Sequence, residues 1–146
     1  MLNIVKKNNY IKKEESLQEI ILYKNPNKIM ARIITKEING NRKIFLDFKD
    51  DDESDNVLKI RKESLPLELF DSNREAVDSI LDILGYEKKK VLARKRIIYY
   101  KNEVVFELDN YISPEFMYVV GIEGRKEKVD DVYNELNKLS NIIKML

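Results

Sequence analysis

The fold is decided by residues 30–49, which read MARIITKEINGNRKIFLDFK. Two runs of alternating apolar and charged side chains flank Asn39-Gly40, a dipeptide typical of a tight β-hairpin turn. Successive side chains on a strand point to opposite faces, so each run has one charged face and one apolar face. This stretch therefore predicts two paired strands at the start of an antiparallel sheet.

The same alternation recurs along the chain. Arg94 and Arg96 share one strand face, and so do Glu107 and Asp109. Such a surface could hold a metal-bound polyphosphate, or it could be an ordinary solvated sheet face. The further runs that predict strands are 17–23, 57–63, 91–96, 104–109 and 116–123.

Two segments predict helices. Residues 72–75 read Ser-Asn-Arg-Glu, the form of a capping box with Ser72 as the cap, and Gly85 is a natural terminator after the apolar positions between them. The second helix is predicted from about Lys126 to the C-terminus, with an apolar stripe at helical spacing. The order of strands and helices indicates an α+β fold with a mostly antiparallel sheet, in a single domain over residues 1–146.

Composition excludes several kinds of chemistry. The 146 residues include 27 basic and 26 acidic side chains, a net charge of +1, so no global attraction to nucleic acid is expected. The absence of histidine and cysteine rules out imidazole bases, thiolate nucleophiles and zinc–cysteine sites. Any metal would have oxygen ligands, which suits Mg²⁺ or Mn²⁺. No segment has the pattern of a membrane span or a signal peptide, so a cytoplasmic protein is predicted.

Four blocks of sequence resemble the CYTH domains, a family of class IV adenylate cyclases, thiamine triphosphatases and inorganic triphosphatases. Residues 31–33 are similar to the family's L-R-I-R strand, and residues 44–49 to its L-T-x-K strand. Residues 61–63 resemble an R-x-E segment, and residues 91–99 resemble K-x-R-x-x-Y. Leu108-Asp109 and Ile122-Glu123 then match L-D and the end of F-V-E-I-E, and the likeness covers about residues 17–140.

The resemblance implies a closed tunnel of antiparallel strands, with two or more helices packed on its outside. It implies that basic residues grip a triphosphate and that carboxylates hold Mg or Mn. The implied triphosphate ligands are Lys6, Arg32, Lys49, Arg61, Arg94 and Arg96, and the implied metal ligands are Glu63, Asp109 and Glu123. The ligand would be a nucleotide, thiamine triphosphate or tripolyphosphate.

The chain departs from the family pattern mainly in its acids. Residues 2–6 read Leu-Asn-Ile-Val-Lys where the family has E-x-E-x-K, so Lys6 alone matches. Leu65 replaces a second glutamate after Glu63, and Gly121 stands at the first glutamate of F-V-E-I-E. The cations are thus kept better than the metal-binding acids.

Three functions remain open at this point. The first is a metal-dependent enzyme that hydrolyses or cyclises a triphosphate. The second is a degenerate member that binds a nucleotide or polyphosphate without turnover. The third is an RNA or protein interaction module built on the basic run 88–96, although nucleic acid is not the expected partner because no recognisable RNA-binding motif accompanies that run. The sequence leaves open whether the chain forms a homodimer.

Overall fold

A computed structural model describes residues 10–50, 62–101, 103–124, 127–131 and 133–134. Seven strands and a long helix make up most of it. Residues 127–131, 133 and 134 are also helical and are called α2. The other elements are β1 (Ile11–Lys24), β2 (Ile29–Ile38), β3 (Asn41–Asp50), β4 (Leu67–Leu69), α1 (Asp71–Ile83), β5 (Glu87–Lys101), β6 (Val104–Ser113) and β7 (Met117–Glu123).

Hydrogen bonds join the strands into one sheet in the order β4-β3-β2-β1-β5-β6-β7. The predicted α+β class with a mostly antiparallel sheet is confirmed. The predicted closed tunnel is not: in the described part of the chain β4 and β7 end the sheet, and no ladder joins them. In those residues no helix is long and apolar enough to cross a membrane.

The chain divides into two compact units. The hairpin unit comprises residues 17–94 and 112–115. The terminal unit comprises residues 1–16, 95–111 and 116–146. That residues 1–146 form a single domain stays a prediction.

The hairpin unit is built on the predicted turn. Asn39 and Gly40 have φ values of 51° and 81°, and this left-handed backbone matches the twist of the flanking strands. The turn pairs Ile38 with Asn41, and the register continues to Ile29 opposite Asp50. One face of these strands is apolar and packs against α1. Its buried core comprises Ala31, Ile33, Leu46, Leu69, Val77 and Leu81.

The N-cap of α1 lies two residues earlier than the sequence predicts, at Phe70 instead of Ser72. The backbone N–H of Phe70 donates to Oδ1 of Asn73 at 2.8 Å, and Ser72 lies inside the first turn of the helix. The predicted cap at Ser72 is therefore wrong. The predicted stop is confirmed, since Gly85 has a φ of 79° and its N–H donates to the carbonyl of Asp82 at 3.0 Å.

The terminal unit has a more aromatic core. Tyr10, Tyr99, Val104 and Phe106 are buried together, and the Tyr10 and Phe106 rings lie 5.9 Å apart. The strands β6 and β7 are antiparallel, with Phe106 opposite Ile122 and Glu107 opposite Gly121. The even-numbered residues of β6 therefore face the core, and the odd-numbered residues face the other way.

Some sequence predictions fall outside the described residues. These include most of the predicted strand 57–63 and most of the apolar stripe of the second helix. Within the described part of that helix, Val129 is buried. The other described residue of the predicted stripe, Tyr133, is 41% exposed, so the packing of the stripe stays a prediction.

Candidate functional site

The polar face of the hairpin unit lies on the side of the sheet opposite α1. Arg32 and Asp47 face each other directly across β2 and β3. Arg32 donates from Nε to Oδ1 of Asp47 at 2.8 Å and from Nη2 to Oδ2 at 2.6 Å. The two hydrogen bonds fix the plane of the guanidinium. The side chains of Arg32 and Asp47 are only 17% and 13% exposed, so this contact is largely shielded from solvent.

Lys49 lies on the same face, two residues beyond Asp47 on β3. Its Nζ is 2.9 Å from Oε1 of Glu63, and residues 49 and 63 are also paired as a short β-bridge. The backbone N–H of Ser64 donates to the carbonyl of Phe48 at 2.9 Å, which extends this pairing. The predicted phosphate ligand Lys49 and the predicted metal ligand Glu63 are therefore partners in one ion pair.

Among the predicted phosphate ligands that the structure describes, Arg94 is the most deeply buried. Its Nε donates to Oε1 of Gln18 at 2.9 Å, and each residue is 5% exposed. Gln18 lies opposite Lys36, which places it on the same face as Arg32. The part of this polar face where Arg94 and Gln18 meet is therefore shielded from solvent.

Cations outnumber acids on this face. The β-ladder register places Lys24, Lys36 and Lys43 there, in addition to the cations already named. Among the acids, Glu68 joins Asp47 and Glu63, because Glu68 lies opposite Phe45. The excess of positive charge on this face, counted over the described residues, favours an anionic ligand.

In the terminal unit, Arg96 binds two carboxylates that lie two residues apart on β6. Its Nε and Nη2 donate to the two oxygens of Asp109 at 2.7 and 2.8 Å. Its Nη1 donates to Oε1 of Glu107 at 3.2 Å, and Nη2 lies 3.2 Å from Oε2 of the same residue. The side chains of Arg96, Glu107 and Asp109 are 17%, 12% and 5% exposed.

The electrostatics of this cluster favour a charged guanidinium. Burial alone would lower the pKa of Arg96. The hydrogen bonds to Asp109 and the negative charges of Glu107 and Asp109 outweigh burial and raise the pKa above its ordinary value. Arg96 therefore stays protonated at any physiological pH.

Glu107 occupies a space that exists because residue 121 is glycine. Glu107 and Gly121 are opposite each other on β6 and β7. A Cβ atom added at Gly121 would lie 3.2 Å from Oε2 of Glu107 and 3.7 Å from its Cβ. The carboxylate of Glu107 therefore rests against the bare backbone of its neighbour strand.

The predicted metal ligands of the terminal unit are not brought together. Glu123 is exposed and lies opposite Val105, four positions along β6 from Asp109. At about 3.4 Å per residue, this separates the two by about 14 Å, too far for both to bind one ion directly. Among the described residues, no group of three or more acidic side chains is arranged to hold a metal ion.

The terminal unit also contains a solvent-exposed network of ion pairs. Glu15 pairs with Lys12 and, at 2.8 Å, with Lys95. The hydrogen bond from Lys12, followed by that from Lys95, lowers the pKa of Glu15 to about 2. Because the network is exposed, it carries little stability.

Two of the predicted ligands, Lys6 and Arg61, fall outside the described residues. Three residues of these clusters were not among the predicted ligands, although each is a hydrogen-bond partner of a predicted cation: Gln18, Asp47 and Glu107. Of these, Glu107 was noted in the sequence only for the strand face that it shares with Asp109. Asp47 could have been identified from the hairpin turn, because the turn sets the strand register that pairs it with Arg32. Glu107 could have been identified from the strand face that it shares with Asp109.

Comparisons with known proteins identify the fold but no family. The sequence matches no protein-family model, and no curated protein matches it. Solved structures from two Pyrococcus species are similar.

The PH1012 protein of Pyrococcus horikoshii OT3 aligns with a TM-score of 0.71 and 20% identity, over 93% of this chain and 82% of its own. The PH1819 protein of the same organism aligns with a TM-score of 0.67 and 22% identity, over 91% of this chain and 78% of its own. A conserved hypothetical protein of Pyrococcus furiosus aligns with a TM-score of 0.67 and 20% identity, over 94% of this chain and 80% of its own. At this identity the likeness shows a shared fold alone.

Proposed function

We propose that this protein binds a triphosphate-bearing small molecule through the cations of its polar sheet faces. The observation that carries the proposal is the way Arg32 and Arg96 are held. Each guanidinium is fixed side-on by an aspartate and is 17% exposed. A guanidinium whose plane is already fixed loses little freedom when its N–H groups bind phosphate oxygens.

The proposed phosphate ligands of the hairpin unit are Arg32, Lys49 and Arg94, and the candidate of the terminal unit, considered by itself, is Arg96. The excess of cations on the polar face of the hairpin unit supports this assignment. The burial of Arg94 and Gln18 favours a site that is partly shielded from solvent. Lys6 and Arg61 belong to the proposal on the resemblance alone.

A divalent ion would fit this proposal chiefly as part of the ligand. Mg²⁺ commonly takes one or two protein carboxylates together with substrate phosphates. In the terminal unit Asp109 is the buried candidate, and in the hairpin unit Glu63 is the candidate, whereas Glu123 is exposed and distant from Asp109. When bound, Mg or Mn would neutralise charge that develops during hydrolysis or cyclisation of the triphosphate.

A second candidate function is binding without turnover. It is favoured because the described residues supply no set of three acids for a metal ion. The sequence also lacks both acids of the E-x-E-x-K strand. The same cations would then serve a sensor or a regulatory subunit.

The RNA or protein module is the least supported candidate. The basic run 88–96 includes Arg94, which is 5% exposed, and Arg96, whose guanidinium is engaged by two carboxylates. Neither arginine is presented to solvent as a nucleic-acid contact would require.

The decisive experiment is a thermal-melting scan with tripolyphosphate, ATP and thiamine triphosphate, each with Mn²⁺ and with a chelator. At a ligand concentration of about a hundred times Kd, stabilisation should approach about 2.7 kcal/mol, or roughly 3 to 6 °C. A shift that needs the metal, together with release of phosphate or pyrophosphate, supports the enzyme. A shift in chelator without release supports the binder.

Two variants locate the binding groups. Arg32→Lys and Arg96→Lys each keep the charge but lose the forked donor geometry, so the melting shift should shrink. Arg42→Lys is the matched control, because Arg42 is exposed on β3. The absence of a shift for all three ligands with the unaltered protein would contradict the proposed function.

A further inference from the structure

Both hydrogen-bonding edges of Arg96 are occupied by protein carboxylates. The side edge, formed by Nε and Nη2, contacts Asp109, and the end edge, formed by Nη1 and Nη2, contacts Glu107. A phosphate that binds a guanidinium by two parallel hydrogen bonds needs one of these edges. An incoming phosphate must therefore displace one of the two carboxylates.

The contact distances show which carboxylate would leave. Asp109 contacts Arg96 at 2.7 and 2.8 Å and is 5% exposed. Glu107 contacts Arg96 at 3.2 Å through both oxygens and is 12% exposed. Charge-assisted hydrogen bonds are strongest near 2.7–2.9 Å, so the Glu107 contact is the weaker one.

The position of Glu107 depends on its neighbour strand. Its Oε2 lies where even an alanine at position 121 would crowd it, at 3.2 Å from the added Cβ. Gly121 does not adopt a left-handed backbone conformation, so an alanine there would meet no backbone strain. Residue 121 therefore acts on Glu107 through side-chain space alone.

We propose that Glu107, seated over Gly121, competes with an incoming phosphate group for the end edge of Arg96 and so sets the affinity of this site for polyphosphate. The inference rests on the proposed function, since it assigns a regulating group to the same phosphate ligand. Glu107 and phosphate are both anions and use the same N–H donors, so they cannot bind that edge together. Asp109 keeps the guanidinium in place while the exchange occurs.

The test is a calorimetric titration with inorganic tripolyphosphate in the presence of a chelator. Chelation removes any role that a metal ion would give to Glu107. Glu107→Gln keeps the size of the side chain but removes the charge that competes for Arg96. We expect it to bind tripolyphosphate more tightly, on the order of tenfold. Glu115→Gln is the matched control, because it makes the same change of charge at an exposed residue.

A second variant separates competition from a general change in charge or folding. Gly121→Ala should force the Glu107 carboxylate to shift by a few tenths of an ångström and so change its contact with Arg96. We expect a change in tripolyphosphate affinity of about two- to threefold, which should vanish when the substitution is made in the Glu107→Gln protein. An effect of Gly121→Ala on the backbone would instead persist in both proteins.

The outcomes distinguish this inference from the proposed function. If the unaltered protein binds tripolyphosphate and Glu107→Gln binds no more tightly, the competition is wrong and the proposed function stands. If Glu107→Gln alone binds, the competition is supported in its strongest form. If neither protein binds under any condition, the proposed function fails and the competition fails with it.

Discussion

Arg32 in the hairpin unit and Arg96 in the terminal unit show how one contact can be used in two settings. Each is held side-on by an aspartate, and each is 17% exposed. Arg32 meets Asp47 directly across a hairpin, whereas Arg96 meets both Asp109 and Glu107 from a single neighbouring strand. The aspartates orient the guanidinium in both units, and Glu107 adds competition for an edge in the second.

The largest expected effect comes from removing both carboxylates of Arg96. Asp109→Asn with Glu107→Gln leaves a mostly buried guanidinium without an anionic partner among the described residues. Because an uncompensated buried charge is costly, unfolding free energy should fall by about 3 kcal/mol. Urea unfolding of the double variant and both single variants measures this loss.

The single variants sharpen the comparison. Each leaves one carboxylate on Arg96, so the double variant should lose more stability than the two single losses combined, by about 1 kcal/mol. If the losses of unfolding free energy of the two single variants simply add up to that of the double variant, the two carboxylates act independently on Arg96. The idea that Asp109 and Glu107 share the task of stabilising this guanidinium would then be contradicted.

A smaller effect is expected in the hairpin unit. Asp47→Asn removes the charge that orients Arg32 but keeps an oxygen that can accept one hydrogen bond. We expect a loss of about 1–2 kcal/mol in unfolding free energy, by the same urea titration. Asp82→Asn at an exposed position of α1 is the control. A loss as large as that of the Arg96 double variant would show that Arg32 depends on its aspartate to the same extent.

The smallest effect concerns an ion pair in solvent. In the folded protein the pKa of Glu15 is lowered to about 2, whereas in the unfolded chain it has its ordinary value of 4.5. The contribution of Glu15 to stability is therefore present above pH 4.5 and is lost as the pH falls toward 2. Glu15→Gln should make stability slightly less dependent on pH in that window. A steeper dependence in an acid titration of unfolding would contradict the assignment.

Much of the hairpin unit could be predicted from local sequence. The turn at Asn39-Gly40 makes the numbers of paired residues sum to 79, so Arg32 must lie opposite Asp47. The position of the turn alone is therefore enough to identify that partner. The cap of α1 could not be identified in this way, because Asn73 reaches back to Phe70 and the apparent cap at Ser72 has no such role.

The terminal unit was harder to predict because its turn is atypical. Glu103 between β5 and β6 has a φ of 63°, a conformation that glycine or asparagine usually supplies. No local rule therefore set the register that brings Arg96 to Glu107 and Asp109. In the hairpin unit, one contact was equally beyond local sequence: Arg94 and Gln18 are 76 positions apart, and no local pattern encodes such a pairing.

The seat of Glu107 over Gly121 also constrains how this sequence can change over generations. A larger residue at position 121 and a glutamate at position 107 would crowd each other, so changes at the two positions should be coupled. If the residue at 121 becomes small before the glutamate appears at 107, the intermediate is uncrowded, whereas the reverse order passes through a crowded intermediate. In an alignment of descendants, bulk at 121 should appear with a short side chain at 107.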